Sequence, residues 1–181
     1  DGTNLLPLTD SKYEDFRPCV QLASTLFNNI SSYSCPGLYD NHIFWLGLKK
    51  KNLFNQENKK NEKLISHSKG YIIMKNKFWK VIFRYPFYKF RPSHSDSLHV
   101  DLWYQSINIL NDAGTFGYNK KPEITNYFTG PEGHNVIQFD KKDLMPNITR
   151  FLKGSWLCSE VTRLPEQLND GSLVAAAKYV S

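Results

Sequence analysis

His94, Asp112 and His134 are the three side chains whose types suit a metal-binding site. Imidazole nitrogen and carboxylate oxygen are ligands that zinc and other divalent transition metals accept in proteins. The three residues lie far apart along the chain, so only a β architecture with adjacent strand ends can gather them. A histidine at a turn is more often a surface hydrogen-bonding residue than a ligand, so spacing alone leaves both interpretations open.

Other polar residues around His94 can take part in the same chemistry. Arg91 can pair with a substrate carboxylate through its planar guanidinium, or form an ion pair with Asp96 or Asp101. Asp96 can orient the ring of His94, or stabilise its own loop as a turn residue. Tyr118 can transfer a proton if its pKa is tuned, although tyrosines at such positions more often serve in packing.

The chain divides into two predicted parts that must position these residues. Residues 1–50 are predicted to form a helical leader, because Pro18 suits a first helical turn and apolar residues recur after it at helical spacing. Residues 49–63 form a polar linker rich in lysine and asparagine. From residue 64 to 181 the period of the hydrophobic pattern changes to two, which predicts a β domain.

Several short strands separated by turn residues are predicted within 64–181. Asn76-Lys77 predicts a hairpin turn, and Asn169-Asp170-Gly171 predicts a second one. His99 alternates with apolar residues and is predicted to face solvent or a neighbouring strand. We therefore expect a mainly β fold, an antiparallel β-sandwich or large curved sheet, preceded by a short helical leader. The predicted strands are 70–75, 78–85, 98–103, 106–110, 134–139 and 173–180, with weaker ones at 150–154 and 155–163.

Composition and charge exclude several classes of protein. The chain of 181 residues is 40% hydrophobic, which is too apolar for a disordered protein. Its net charge of +6 suits an acidic partner such as a polyanionic sugar, although solubility alone can explain it. There is no familiar nucleic-acid module and no apolar run of the roughly 20 residues that a membrane span needs, so neither nucleic acid nor membrane is predicted as a partner.

Three sequence motifs in order resemble the C-terminal β domain of heparinase II/III-like proteins. The resemblance covers about residues 1–152, and the opening segment is similar to the place where the family's helical toroid ends. The motifs are Arg-Pro-Ser-His-Ser-Asp-Ser-Leu at 91–98, Asp-Ala-Gly-Thr at 112–115 and His-Asn-Val at 134–136.

The resemblance implies a two-part polysaccharide lyase. An upstream α/α toroid and the β domain would hold an acidic, uronate-containing polysaccharide or glycosaminoglycan between them and cleave it by β-elimination. A structural zinc would be bound by His94, Asp112 and His134, which are also the residues selected by type and spacing. Arg91 and Asn135 are the residues expected to bind substrate. The expected location is the periplasm or cell envelope, with the cytoplasm as the alternative.

Three positions depart from the family pattern. Pro92 replaces a histidine that takes part in catalysis, Phe116 replaces a tyrosine, and Val136 replaces a threonine. The resemblance also implies that the helical toroid, which is not in this chain, supplies the remaining catalytic residues, so we expect this chain alone to be inactive. The full-length protein is then expected to use a different base, for which Tyr118 is the candidate, or to act on a different sugar. The alternatives are a non-catalytic, metal-containing carbohydrate-binding domain in bacterial surface-polysaccharide production, and a purely structural β domain.

Overall fold

The chain is seen in a computed structural model whose tertiary contacts form two compact units, Asp1–Lys60 and Asn61–Ser181. No helix within the described ranges is long and apolar enough to cross a lipid bilayer. The structure describes residues 15–33, 35–49, 63–117 and 119–180.

The first unit contains two α-helices, α1 (Arg17–Phe27) and α2 (Asn41–Trp45), with a 3-10 turn between them at Leu38–Asp40. Helix α1 has a proline in its first turn, as predicted, because a proline there loses no intrahelical hydrogen bond. Gln21 is buried, and its side chain donates to the carboxylate of Asp40 over 2.8 Å. The predicted linker falls almost wholly on residues outside the described ranges.

The second unit is organised around a five-stranded antiparallel sheet whose strands are adjacent in chain order. The hairpin predicted from residues 70–75 and 78–85 is present, although Asn-Lys is a weak turn sequence. Asn76 stabilises the turn because its side-chain oxygen accepts the backbone N–H groups of Phe78 at 2.9 Å and Trp79 at 2.7 Å. The strands are β1 (Leu64–Ser68), β2 (Tyr71–Lys75), β3 (Trp79–Arg84), β4 (Val100–Tyr104) and β5 (Ile107–Leu110).

The remainder of the second unit differs from the prediction in two places. Residues 134–139 do not form a strand, and a helix that was not predicted, α3 (Pro122–Thr129), precedes them. Helix α3 leads into a 3-10 turn at Pro131–Gly133. Two strand pairs complete the unit: β6 (Asn147–Thr149) with β7 (Leu152–Lys153), and β8 (Cys158–Gln167) with β9 (Leu173–Val180).

The hydrophobic core lies between the five-stranded sheet and the β8–β9 hairpin. Ile72, Tyr85 and Leu98 are its buried centre. Residues from both layers pack against that centre, so the two sheets cover each other's apolar faces. The mainly β fold predicted from the sequence is confirmed. The packed residues are Met74, Phe83, Val161, Ala175, Ala177 and Tyr179.

We expect Ile72→Ala to lower the free energy of unfolding by about 3 kcal/mol, because Ile72 is 0% exposed and its truncation leaves a cavity. Ile107→Ala is the matched control, since Ile107 is 66% exposed and should change stability by less than about 0.5 kcal/mol. Urea unfolding measures both variants. Equal losses of stability would show that Ile72 is not at the centre of the core.

Candidate metal centre and adjoining cavity

The imidazole of His134 connects two of the other candidate ligands. Its Nδ1 lies 2.8 Å from Oδ2 of Asp112, and its Nε2 lies 3.2 Å from Nδ1 of His94. A carboxylate can only accept a hydrogen bond, so Nδ1–H of His134 donates to Asp112. In a neutral imidazole Nε2 then accepts, and His94 is the donor to it. The structure therefore brings together all three residues that the sequence predicted as ligands.

Local backbone geometry holds His134 and Asp112 side by side. His134 follows the 3-10 turn at Pro131–Gly133, whose last carbonyl accepts the backbone N–H of Ala113 at 3.0 Å. The turn after Asp112 is closed by Gly114, whose N–H donates to Oδ1 of Asp112 over 2.6 Å. Gly114 has a φ of 74°, which a glycine adopts without strain. The carboxylate is thus fixed on one oxygen and presents the other to His134.

His99 is a member of the site that the sequence did not reveal. It is 6% exposed, so the solvent-facing alternative is wrong, and its Nδ1 accepts the backbone N–H of Asn135 over 3.1 Å. A backbone N–H can only donate, so in a neutral His99 the proton is on Nε2. That Nε2 lies 3.8 Å from Oδ2 of Asp112.

The alternation of polar and apolar residues wrongly allowed His99 to face solvent, because the backbone of the preceding residue is not extended. Leu98 has a φ of 61°, a left-handed conformation that reverses the course of the backbone. The regular alternation starts only with β4 at Val100. His99 therefore points toward Asn135 and Asp112 and not out of the sheet.

The side chains form a possible His–Asp–His metal-binding group. Donor atoms of His99, Asp112 and His134 all lie within 4.8 Å of one another. His94 contacts the opposite nitrogen of His134, so two donor sets compete for that imidazole. The 3.2 Å between the nitrogens of His94 and His134 is close to the roughly 3.3 Å expected for two nitrogens on one tetrahedral zinc. Binding through Nε2 of His99 would instead require that nitrogen to lose its proton.

Burial and hydrogen bonding shift the pKa values of these groups. Burial, with help from His134, lowers the pKa of His94 below its ordinary value. Burial likewise lowers the pKa of His99, against the opposing effect of Asp112. For Asp112 burial acts to raise the pKa, but the N–H of Gly114 and the contact with His134 outweigh it and the pKa falls. The site thus favours neutral imidazoles at His94 and His99 beside a charged carboxylate, and metal binding needs neutral imidazole and ionised carboxylate.

Arg91 and Asp96 have partners other than those considered from the sequence. Arg91 is exposed and donates from Nη1 to the backbone carbonyl of Phe151 over 2.6 Å. Asp96 accepts a hydrogen bond from the hydroxyl of Tyr88 at 3.0 Å and pairs with Arg84 at 3.2 Å. Asp96 therefore anchors the loop of His94 to β3. Arg91 enters no ion pair with any other residue that the structure describes.

Asn135 and Tyr118 are the other two predicted site residues, and only Asn135 lies within the described part of the chain. The side chain of Asn135 donates to the backbone carbonyl of Asn111 over 3.1 Å, which ties the His134 segment to the end of β5. Its backbone carbonyl accepts from Val100. A contact between Asn135 and substrate stays a prediction. Tyr118 lies outside the described residues.

A cavity of about 290 Å³ adjoins His94. Its charged lining residues are all basic: Arg91, Arg150 and Lys153. The loop between β3 and β4 forms one wall through residues 91–94, and helix α3 and β7 contribute to the others. An anionic group in this cavity would meet positive charge without a carboxylate to repel it.

The ammonium group of Lys153 is buried beside this cavity. It donates to Oγ of Ser95 over 2.8 Å and to the carbonyl of Thr129 over 3.1 Å, and lies 3.5 Å from a carboxylate oxygen of Asp143. Burial lowers the pKa of Lys153, against the opposing effect of Asp143. Ser95 precedes β4 in the loop of His94, so this cluster fixes one wall of the cavity.

One known protein family includes all three sequence motifs of the site in its matched region. The family described as Heparinase II/III-like, C-terminal matches residues 60–179, which is most of the chain and includes every described residue of the site. Searches of curated proteins and of solved structures found no significant match.

We expect the free energy of unfolding of the metal-free protein to fall from about pH 7.5 to about pH 5.5. Both His94 and His99 have lowered pKa values when folded, so below about 6.5 the unfolded chain takes up protons that the folded one does not. The substitution His99→Gln removes one histidine of lowered pKa and should therefore reduce the loss of unfolding free energy between the two pH values. Urea unfolding at the two pH values, after chelation, measures it.

His67→Gln provides the control, since His67 is exposed on β1 and lies outside the cluster. If His99→Gln and His67→Gln alter the pH dependence equally, the burial of His99 does not contribute to it.

Proposed function

Because the chain belongs to the heparinase II/III-like, C-terminal family, we propose that it is the β-rich C-terminal part of a polysaccharide lyase-like protein that cleaves an acidic, uronate-containing polysaccharide by β-elimination. The observation that supports an acidic substrate is the cavity beside His94, whose charged lining residues are all basic. A uronate carboxylate is the group that such a lining attracts.

The chemistry of β-elimination explains why positive charge is needed there. A base removes the proton at C5 of the uronate, and the electron pair forms a C4–C5 double bond. The bond from C4 to the glycosidic oxygen breaks, and an acid protonates that oxygen. Positive charge near the uronate carboxylate stabilises the carbanion character that develops at C5. Arg91 and Arg150 are the residues that we assign to this task.

Proton transfer requires groups beyond those of the described site. Pro92 and Phe116 stand where the resemblance places a histidine and a tyrosine, and neither can exchange a proton. We assign the base to Tyr118 and the remaining catalytic groups to an upstream helical toroid. On this proposal the chain alone is inactive, and the full-length protein acts in the periplasm or cell envelope.

Zinc fits the donor chemistry of the site. His94, Asp112 and His134 are the residues that we propose hold it, because the two imidazoles meet nitrogen to nitrogen. Asp112, which accepts a hydrogen bond from the opposite nitrogen of His134, would join the ligands by giving up that hydrogen bond. The ion would act structurally, by fixing the loop of His94 to the turns that carry the other two residues. His99 would remain outside the ion's ligands and keep its hydrogen bond from Asn135.

A non-catalytic carbohydrate-binding domain is the second candidate. The observation that favours it is the environment of the two substituted positions. Pro92 is buried, and the ring of Phe116 stacks on that of Phe128 at 5.2 Å, so both positions serve in packing. Such a domain would bind the same class of acidic polysaccharide through the same cavity without cleaving it.

We expect the purified protein to bind one zinc ion, and His94→Ala to abolish that binding, because zinc needs the imidazole of His94 in the proposed ligand set. His99→Gln should retain the metal, since a glutamine oxygen can still accept the N–H of Asn135. Elemental analysis after dialysis measures zinc content. Retention by His94→Ala together with loss by His99→Gln would assign the site to the His99 set.

We expect the full-length protein to produce an unsaturated uronate from at least one acidic polysaccharide, measured as a rise in ultraviolet absorbance. Arg150→Ala should lower kcat/KM about tenfold or more, because the cavity loses a positive charge near the carboxylate. Lys75→Ala is the control, since Lys75 is exposed and outside the cavity lining. Binding to the polysaccharide without new absorbance would favour the carbohydrate-binding candidate over the lyase.

A further inference from the structure

A second and larger cavity, here called the aromatic groove, shares a wall with the cavity beside His94. Its volume is about 770 Å³, within the range of natural ligand sites. The groove runs from the β1–β2 turn along the ends of β2 and β3 to the loop that follows β3. Residues 91–93 line both cavities, so a ligand that extends past this loop can reach from one to the other.

The groove carries an excess of positive charge. Lys69, Lys89 and Arg91 line it, and none of them enters an ion pair among the described residues. A fourth basic residue, Arg84, is compensated by Asp96. No aspartate or glutamate belongs to the lining. The charges that remain open to a ligand in the groove are therefore all positive.

Aromatic rings supply flat apolar faces in the same groove. The side chains of Phe87 and Phe90 are 71% and 84% exposed. Such high exposure is unusual for phenylalanine, which is mostly buried in folded proteins. Deeper in the groove Tyr85 stacks on His67 with their ring centroids 6.0 Å apart. Aromatic faces pack well against the C–H faces of a pyranose ring, and lysine or arginine at the rim pairs with a carboxylate. This combination fits an acidic sugar better than a neutral sugar.

We propose that the aromatic groove is a second subsite, which binds a uronate unit of the same polysaccharide chain that is not directly linked to the unit in the cavity beside His94. The inference rests on the proposed function and specifies how that function selects its substrate. Two linked subsites make the second contact intramolecular, so affinity rises with chain length once a ligand spans residues 91–93. A single sugar unit gains nothing from the groove.

The test compares chain lengths in the full protein. Disaccharides and hexasaccharides prepared from polygalacturonate, alginate and heparin are titrated by calorimetry. For the polymer that binds best, we expect the double variant Lys69→Ala, Lys89→Ala to weaken hexasaccharide binding about tenfold and to leave disaccharide binding unchanged. Both lysines are exposed, so the variant should fold. Lys75→Ala, Lys141→Ala removes the same charge from exposed positions outside both cavities and should bind like the wild type.

The remaining outcomes contradict either the second subsite alone or the proposed function together with it. If the wild type binds hexasaccharides and the Lys69, Lys89 variant binds them equally well, the groove is not a subsite while the proposed function stands. If both double variants weaken binding alike, the effect is one of net charge and the groove is again excluded. If the wild type binds none of the acidic oligosaccharides, the proposed function fails, and the second subsite fails with it.

Discussion

The buried ammonium of Lys153 is the interaction on which the arrangement of the second unit depends. A lysine side chain that is 1% exposed is stable only if its charge and all its donors have partners. Those partners come from three segments: the loop that carries His94, the end of helix α3, and the stretch before β6. Ser95 also donates to Asp143, so the acceptors are themselves connected. None of these segments can move without leaving a charge unpaired in the interior.

This constraint explains why irregular backbone can hold the site. Helix α3 ends at the carbonyl that Lys153 and Ser95 share, and the 3-10 turn that positions His134 begins just after it. His134 then uses both of its ring nitrogens, one toward Asp112 and one toward His94. A single imidazole therefore joins two loops that are distant in sequence, and the acid–base properties of each neighbour depend on it.

The sequence correctly predicts the secondary-structure elements that follow a simple hydrophobic periodicity. The β2–β3 hairpin, the strand after it and the last hairpin were predicted because alternating residues and asparagine turns are local signals. The prediction of a strand at residues 134–139 is wrong, and at Asn135 the backbone N–H donates to the ring of His99 in place of a carbonyl on a neighbouring strand. The left-handed backbone at Leu98 similarly hid the burial of His99. Both effects depend on contacts between distant residues, which no local pattern records.

The turn around Phe116 has a consequence for how this chain could change over time. Its backbone has a φ of 58°, an uncommon conformation for a residue that is not glycine, and the ring is held by stacking on Phe128. The resemblance of the sequence motifs places a tyrosine here, which differs from phenylalanine by one oxygen atom. Because the ring is already placed and is 64% exposed, a hydroxyl group on it would meet solvent without any rearrangement of the turn. An ionisable group can therefore be added at this position by a single substitution on a backbone that stays the same.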